Sequence, residues 1–127
     1  MEIIRDTTYR DLEIYQIAHT LGVETQHFSL KLPKFELYET GSQLRRSSKS
    51  VSANIVGGFC RRRYKAEFMR YLVFAHSSCN EAIEWMEYVR DCHCNHRQAV
   101  EHLQLRFDGL GGKLNRFIGS VEIYHSS

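Results

Sequence analysis

The residues best suited to chemistry lie in the middle of the chain, and they are cationic. Between Thr40 and Ala66 stand Arg45, Arg46, Lys49, Arg61, Arg62, Arg63 and Lys65, with no acidic residue among them. The chain of 127 residues carries 17 Lys and Arg against 15 Asp and Glu, so setting those seven aside leaves ten basic residues against all fifteen acidic ones. Such asymmetry in a chain of net charge +2 points to an anionic partner, or to a solvated helix face paired with acidic neighbours. On a helix Arg45, Arg46 and Lys49 fall within about 100° of one another. They would form an outward strip for phosphates, with Ser47, Ser50 and Asn54 as nearby hydrogen-bond donors. Arg61, Arg62, Arg63 and Lys65 surround Tyr64, whose ring could stack on a base.

Other constellations are weaker. Cys92-His93-Cys94-Asn95-His96 offers thiolates and imidazoles that suit zinc, with His27 expected at the same end of the molecule. The usual Cys-x-x-Cys spacing is absent and no second ligand pair is evident, so zinc or redox chemistry at this turn is a remote alternative. Helical bundles can house di-iron sites built on Glu-x-x-His, and Glu24 to His27 and Glu122 to His125 have that spacing. These strings are expected at opposite ends of a bundle, and the second helix has no acid after Glu39, so no metal site is assigned. No string resembles a nucleophile elbow. Gly109-Leu110-Gly111-Gly112 lies inside a helical pattern and does not follow a strand, which makes it a poor phosphate loop. The expectation is a protein with no catalytic residues, no cofactor and no small-molecule substrate.

The elements that must carry these residues are helical. A single proline, Pro33, among 127 residues argues for long helices. Length and a 43% hydrophobic content predict one domain spanning 1–127 with its own core. No run approaches the ~18 apolar residues of a membrane span, and Met1-Glu2-Ile3-Ile4-Arg5-Asp6 has no signal-peptide pattern. Cys60, Cys79, Cys92 and Cys94 are therefore expected as reduced thiols in the cytoplasm, with Cys79 a small core residue.

Four heptad patterns follow. The first helix is expected from about Tyr9 to Leu30, opened by a Thr8–Asp11 capping box, with Ile14, Ala18, Leu21, Thr25 and Phe28 on one face. Lys31-Leu32-Pro33 should end it. The second runs from about Leu37 to Val56, with Leu37, Gly41, Leu44, Ser48, Val51 and Ile55 inward and Gly57-Gly58 as its stop. The third runs from about Tyr64 to Asp91 on Phe68, Leu72, Ala75, Cys79, Ala82, Met86 and Val89. The fourth runs from about His96 to Tyr124 on Val100, Leu103, Phe107, Leu110, Leu114, Phe117, Val121 and Tyr124. Its glycines Gly109, Gly111 and Gly112 predict either a kink or a close partner backbone. Short connections and a 3.5-residue period predict an all-α, antiparallel up-down-up-down four-helix bundle of left-handed supercoil.

The third helix has a second stripe of Tyr71, Phe74, Ser78, Glu81, Trp85 and Tyr88. Its apolar arc is wider than one packing seam requires, so Tyr71, Phe74, Trp85 and Tyr88 are expected to meet another subunit. Glu84 and Glu87 read as surface charge, whereas Glu81 could pair with a neighbour's arginine.

Several strings along these helices resemble one family. Tyr9-Arg10-Asp11-Leu12-Glu13-Ile14-Tyr15, Leu32-Pro33-Lys34, and Ser42-Gln43-Leu44-Arg45-Arg46-Ser47-Ser48 followed by Val51-Ser52-Ala53-Asn54-Ile55 are similar to the four-helix-bundle family named after the 23S rRNA intervening-sequence protein. So are Gly58-Phe59, Arg61-Arg62, Glu67-Phe68-Met69-Arg70-Tyr71-Leu72 and Leu114-Asn115-Arg116-Phe117-Ile118. Ser52 stands where the family often has proline and Gly57 where it often has glutamate. The resemblance implies a ring-shaped homopentamer, no established enzymatic activity, and a connection to RNA or DNA through the basic accessory proteins of diversity-generating retroelements, which are similar. A protein-interaction scaffold whose basic strip is spent on subunit contacts is the alternative.

Overall fold

The computed structural model describes residues 7–126. The Met1–Asp6 start, read above for its lack of a signal pattern, lies outside that range, as does Ser127. A 3-10 turn at Tyr9–Asp11 leads into α1 (Glu13–Ser29), a single turn α2 (Lys34–Leu37), α3 (Thr40–Cys60), α4 (Lys65–Cys92), a second 3-10 turn at Cys94–His96, and α5 (Arg97–Tyr124). The four long helices form a bundle: α3 packs on α1 and on α4, α4 on α5, and α5 more sparsely on α1. Among the described residues no strand occurs, and no helix is long and apolar enough to cross a membrane.

The core follows the heptads. Ile14, Ala18, Leu21, Thr25 and Phe28 of α1 are buried, as are Gly41, Leu44, Ser48, Val51 and Ile55 of α3. The whole predicted α4 stripe, Phe68 through Val89, is sealed from solvent. Each large apolar side chain so buried stabilises the fold by about 1.5–3 kcal/mol. On α5 the stripe holds from Val100 to Leu114 and at Val121, while Phe117 is half-buried and Tyr124, beyond the last packed turn, is exposed.

The element ends depart from expectation in ways that have physical causes. The Thr8 N–H does donate to Asp11 Oδ2 at 3.0 Å, but the pair closes the 3-10 turn, and α1 starts afresh at Glu13. Leu37 belongs to α2, so the second long helix opens at Thr40.

Gly57-Gly58 does not stop α3, which continues to Cys60. Its small residues serve close approach instead. A Cβ on Gly57 would stand 3.0 Å from the Tyr71 ring, and one on Gly58 3.1 Å from Tyr71 Cβ and 3.3 Å from the Phe68 carbonyl oxygen. Two residues of the second α4 stripe are covered within the chain. Tyr71 is half-buried against α3, and Ser78 is buried with its hydroxyl 2.9 Å from that of Ser50.

The α5 helix runs unbroken through Gly109, Gly111 and Gly112. No backbone of the same chain crowds them: a Cβ on Gly109 would meet nothing within 4 Å, and one on Gly111 only Cys79 Sγ and His76 Nε2 at 3.9 Å.

Candidate nucleic-acid interface

A helix leaves its last carbonyls without partners, and cations collect there. Two of the predicted basic residues close the end of α3 in this way. Arg61 donates to the Gly57 carbonyl at 3.0 Å and lies over the Tyr71 ring at 4.5 Å. Arg62 donates to the Phe59 carbonyl at 3.1 Å and lies 4.0 Å over the Phe59 ring. The same turn is clasped from α5: His125 Nε2 donates to the Arg62 carbonyl at 2.6 Å, and Lys65 Nζ donates to the Glu122 carbonyl at 2.7 Å.

Arg45 departs from the outward strip. Its guanidinium turns back to the α1–α2 corner, donating to Ser29 Oγ at 3.0 Å and to the Leu37 carbonyl at 2.6 Å. Gly41 makes room for it, since a Cβ there would lie 3.2 Å from Arg45 Nη1 and 3.0 Å from the Glu36 carbonyl oxygen. Arg46 and Lys49 stay on the exposed face of α3 but look to opposite sides. Arg46 borders a polar groove over α4 with Gln43, Ser47, Ser50 and Glu81, and Lys49 a groove over α1 with His19, Val23 and Gln26. Among the described residues, the side chains of Arg46, Lys49 and Arg63 have neither a hydrogen bond nor an ion pair within the chain.

Four of the seven predicted cations are therefore engaged by the chain's own oxygens, and three are free for an outside anion. The engaged ones hold neutral acceptors, so their charge still adds to the field around α3 and its turn. Beside Arg63, Tyr64 is 64% exposed. Arg63, Tyr64, Lys65, Ala66, Met69 and Glu122 line an open cavity of about 580 Å³. Sequence reasoning missed Met69 and Glu122. Met69 lies one turn beyond Lys65, and Glu122 is 57 residues from it, brought there by the pairing of α4 with α5.

Of the predicted interface residues, Tyr71 and Trp85 are half-buried, with Trp85 stacked 5.8 Å from Tyr88. Phe74 is 42% exposed and Tyr88 53%. The turn from Cys92 to His96 presents Cys92 and Cys94 to solvent and folds His93 inward to Glu36, Nε2 to Oε2 at 3.0 Å. Among the described residues no three His, Cys, Asp or Glu side chains gather as a metal site. In the two Glu-x-x-His strings, Glu24 pairs with Arg106 and His125 with the Arg62 carbonyl. Cys79 is no nucleophile: burial pushes its thiol up to about 12, the Asp108 charge adds to that, and its S–H donates to the Phe107 carbonyl at 3.2 Å.

These features define a helical-bundle protein with a cationic turn at one end. The family model for the 23S rRNA-intervening sequence protein matches residues 10–116, and the chain belongs to that family. Among curated proteins none matches it.

Proposed function

We propose that this protein is a non-enzymatic bundle of up-down-up-down helices that assembles into a ring, a homopentamer, and binds RNA or DNA in the cytoplasm. The observation that carries the reading is that Arg46, Lys49 and Arg63 are exposed and, among the described residues, without a partner, with the exposed ring of Tyr64 next to Arg63, on a stretch of chain without a carboxylate. Lysine and arginine on phosphates supply affinity, and copies around a ring multiply weak contacts. The meeting of Lys65 with Glu122 supports the antiparallel succession of α4 and α5. Exposed Phe74, Tyr88 and Val73 on one side of α4 support self-association.

Two measurements test it. Sedimentation at micromolar concentration should show a species several times the 14.9 kDa chain, and a 15 kDa particle alone would remove the ring. Fluorescence anisotropy with labelled RNA should show binding that weakens steeply as salt rises. The triple variant R46E/K49E/R63E should abolish binding with the oligomer intact. If it dissociates the oligomer instead, the cations serve subunit contacts and the protein is an interaction scaffold.

A further inference from the structure

The cavity at the α3–α4 turn has a composition that plain phosphate binding does not need. Phosphates require cations and N–H donors, and Arg63 supplies one. Besides Lys65, whose ammonium holds the Glu122 backbone carbonyl, the cavity is lined by an exposed aromatic residue, Tyr64, by Met69 and Ala66, and by an acidic residue, Glu122. Its surface is mostly apolar, in contrast to the polar groove beside Arg46. A carboxylate beside a phosphate site repels the phosphate and favours a ligand part that donates hydrogen bonds.

We propose that this cavity holds one unpaired guanine of a nucleic-acid strand, a reading that deepens the nucleic-acid function and rests on it. The base stacks on Tyr64 with Met69 and Ala66 at its edge, Arg63 meets the adjoining phosphate, and Glu122 accepts from the base. The choice of guanine follows from the acceptor. An ionised carboxylate only accepts. The Watson–Crick edge of guanine has two neighbouring donors, N1–H and the N2 amino group, which match the two carboxylate oxygens. Adenine and cytosine each set one amino donor beside a ring nitrogen that repels a carboxylate. Uracil has one donor between two carbonyls. In a duplex that edge is already paired, so the ligand is single-stranded, a loop or an end. Glu122 is free for this role: Lys65 engages its backbone carbonyl, and its side chain is exposed.

The test uses the full-length protein with labelled uridine octamers that carry one central guanosine, adenosine or cytidine. The guanosine octamer should bind about ten-fold tighter than all-uridine, a gain typical of one stacked and read base. E122Q should bring guanosine within two-fold of adenosine while leaving the salt slope unchanged. Y64A should weaken every octamer about ten-fold, and Y64F should restore binding. Guanosine monophosphate should displace the guanosine octamer only at far higher concentration if the strand is the ligand, and equal potency would reassign the cavity to the free nucleotide. Binding of all octamers alike, unmoved by E122Q and Y64A but lost in R46E/K49E, would overturn the guanine site and leave the nucleic-acid reading standing. No binding to any octamer, or equal displacement by a polyglutamate peptide, would overturn both.

Discussion

The two ends of the bundle use the same residue type to opposite purposes. Where α1 and α2 meet α3, Arg45 is drawn in: its guanidinium joins Ser29 to the orphan carbonyl of Leu37, and Gly41 stands aside for it. The same end is tied to the α4–α5 turn by Glu36 and His93. Where α3 meets α4, Arg61 and Arg62 take the last carbonyls of α3, and Arg63, one residue further, finds none. An arginine's fate thus depends on how many unsatisfied oxygens lie within its reach. The one-turn α2 creates such an oxygen in a corner that would otherwise bury it bare. The α3–α4 turn runs out of them, and its remaining cation faces solvent.

The largest expected effect lies at the inward end. Arg45→Met keeps the apolar stem of the side chain and removes both donated hydrogen bonds, leaving the Leu37 carbonyl and Ser29 hydroxyl part-buried without that partner. Loss of charged hydrogen bonds of this kind costs about 3 kcal/mol. Urea unfolding followed by circular dichroism should show the midpoint fall accordingly. A change below about 0.5 kcal/mol, the range of ordinary surface substitutions, would erase the distinction between the ends.

Glycine gives a second contrast, of smaller size. Gly58→Ala sets a methyl 3.1 Å from Tyr71 Cβ and 3.3 Å from a backbone oxygen that cannot swing away. Overpacking of that degree costs about 1–3 kcal/mol against a helix-propensity gain of about 1 kcal/mol, so the net effect is a loss of up to about 2 kcal/mol. Gly109→Ala meets open space in the middle of α5 and should stabilise the protein by about 1 kcal/mol, the helix propensity difference. Opposite signs in the two unfolding curves confirm that only the first glycine is needed by the chain's own packing. If sedimentation shows an oligomer and Gly109→Ala weakens it while the fold of the single chain gains, a neighbouring subunit approaches α5 there.

Most of the bundle was legible because a heptad pattern reports burial directly. Every residue of the α4 stripe from Phe68 to Val89 lies in the core, because seven positions at alternating spacing fit only one face of one helix. Element ends were less legible. Gly57-Gly58 reads equally as a helix stop or as a close-packing site, and Tyr71, fourteen residues from Gly57, decides between them. The seven cations were legible as a cluster, but not their individual fates. The Leu37 carbonyl that captures Arg45 exists only because Pro33 and the residues after it form a separate turn. Glu122 left no local signal, since its place beside Tyr64 arises from the pairing of α4 with α5, whereas Met69 stands one turn beyond Lys65 on the same helix and was legible as a neighbour.

The smallest expected effect is at the outward end, and it is the sharpest test of the contrast. Arg63 and Tyr64 are exposed, and among the described residues neither side chain has a hydrogen-bond or ion-pair partner. Their joint replacement, R63A/Y64A, removes little buried area and leaves no donor or acceptor stranded. Tyr64 does precede α4 as its N-cap, but with no side-chain hydrogen bond to lose. Stability should therefore stay within about 0.5 kcal/mol of the parent, as read from the same urea midpoint. A loss beyond about 1.5 kcal/mol would mean that the turn is structural after all. Measured beside Arg45→Met, the pair weighs an arginine that the fold requires against one that it leaves available.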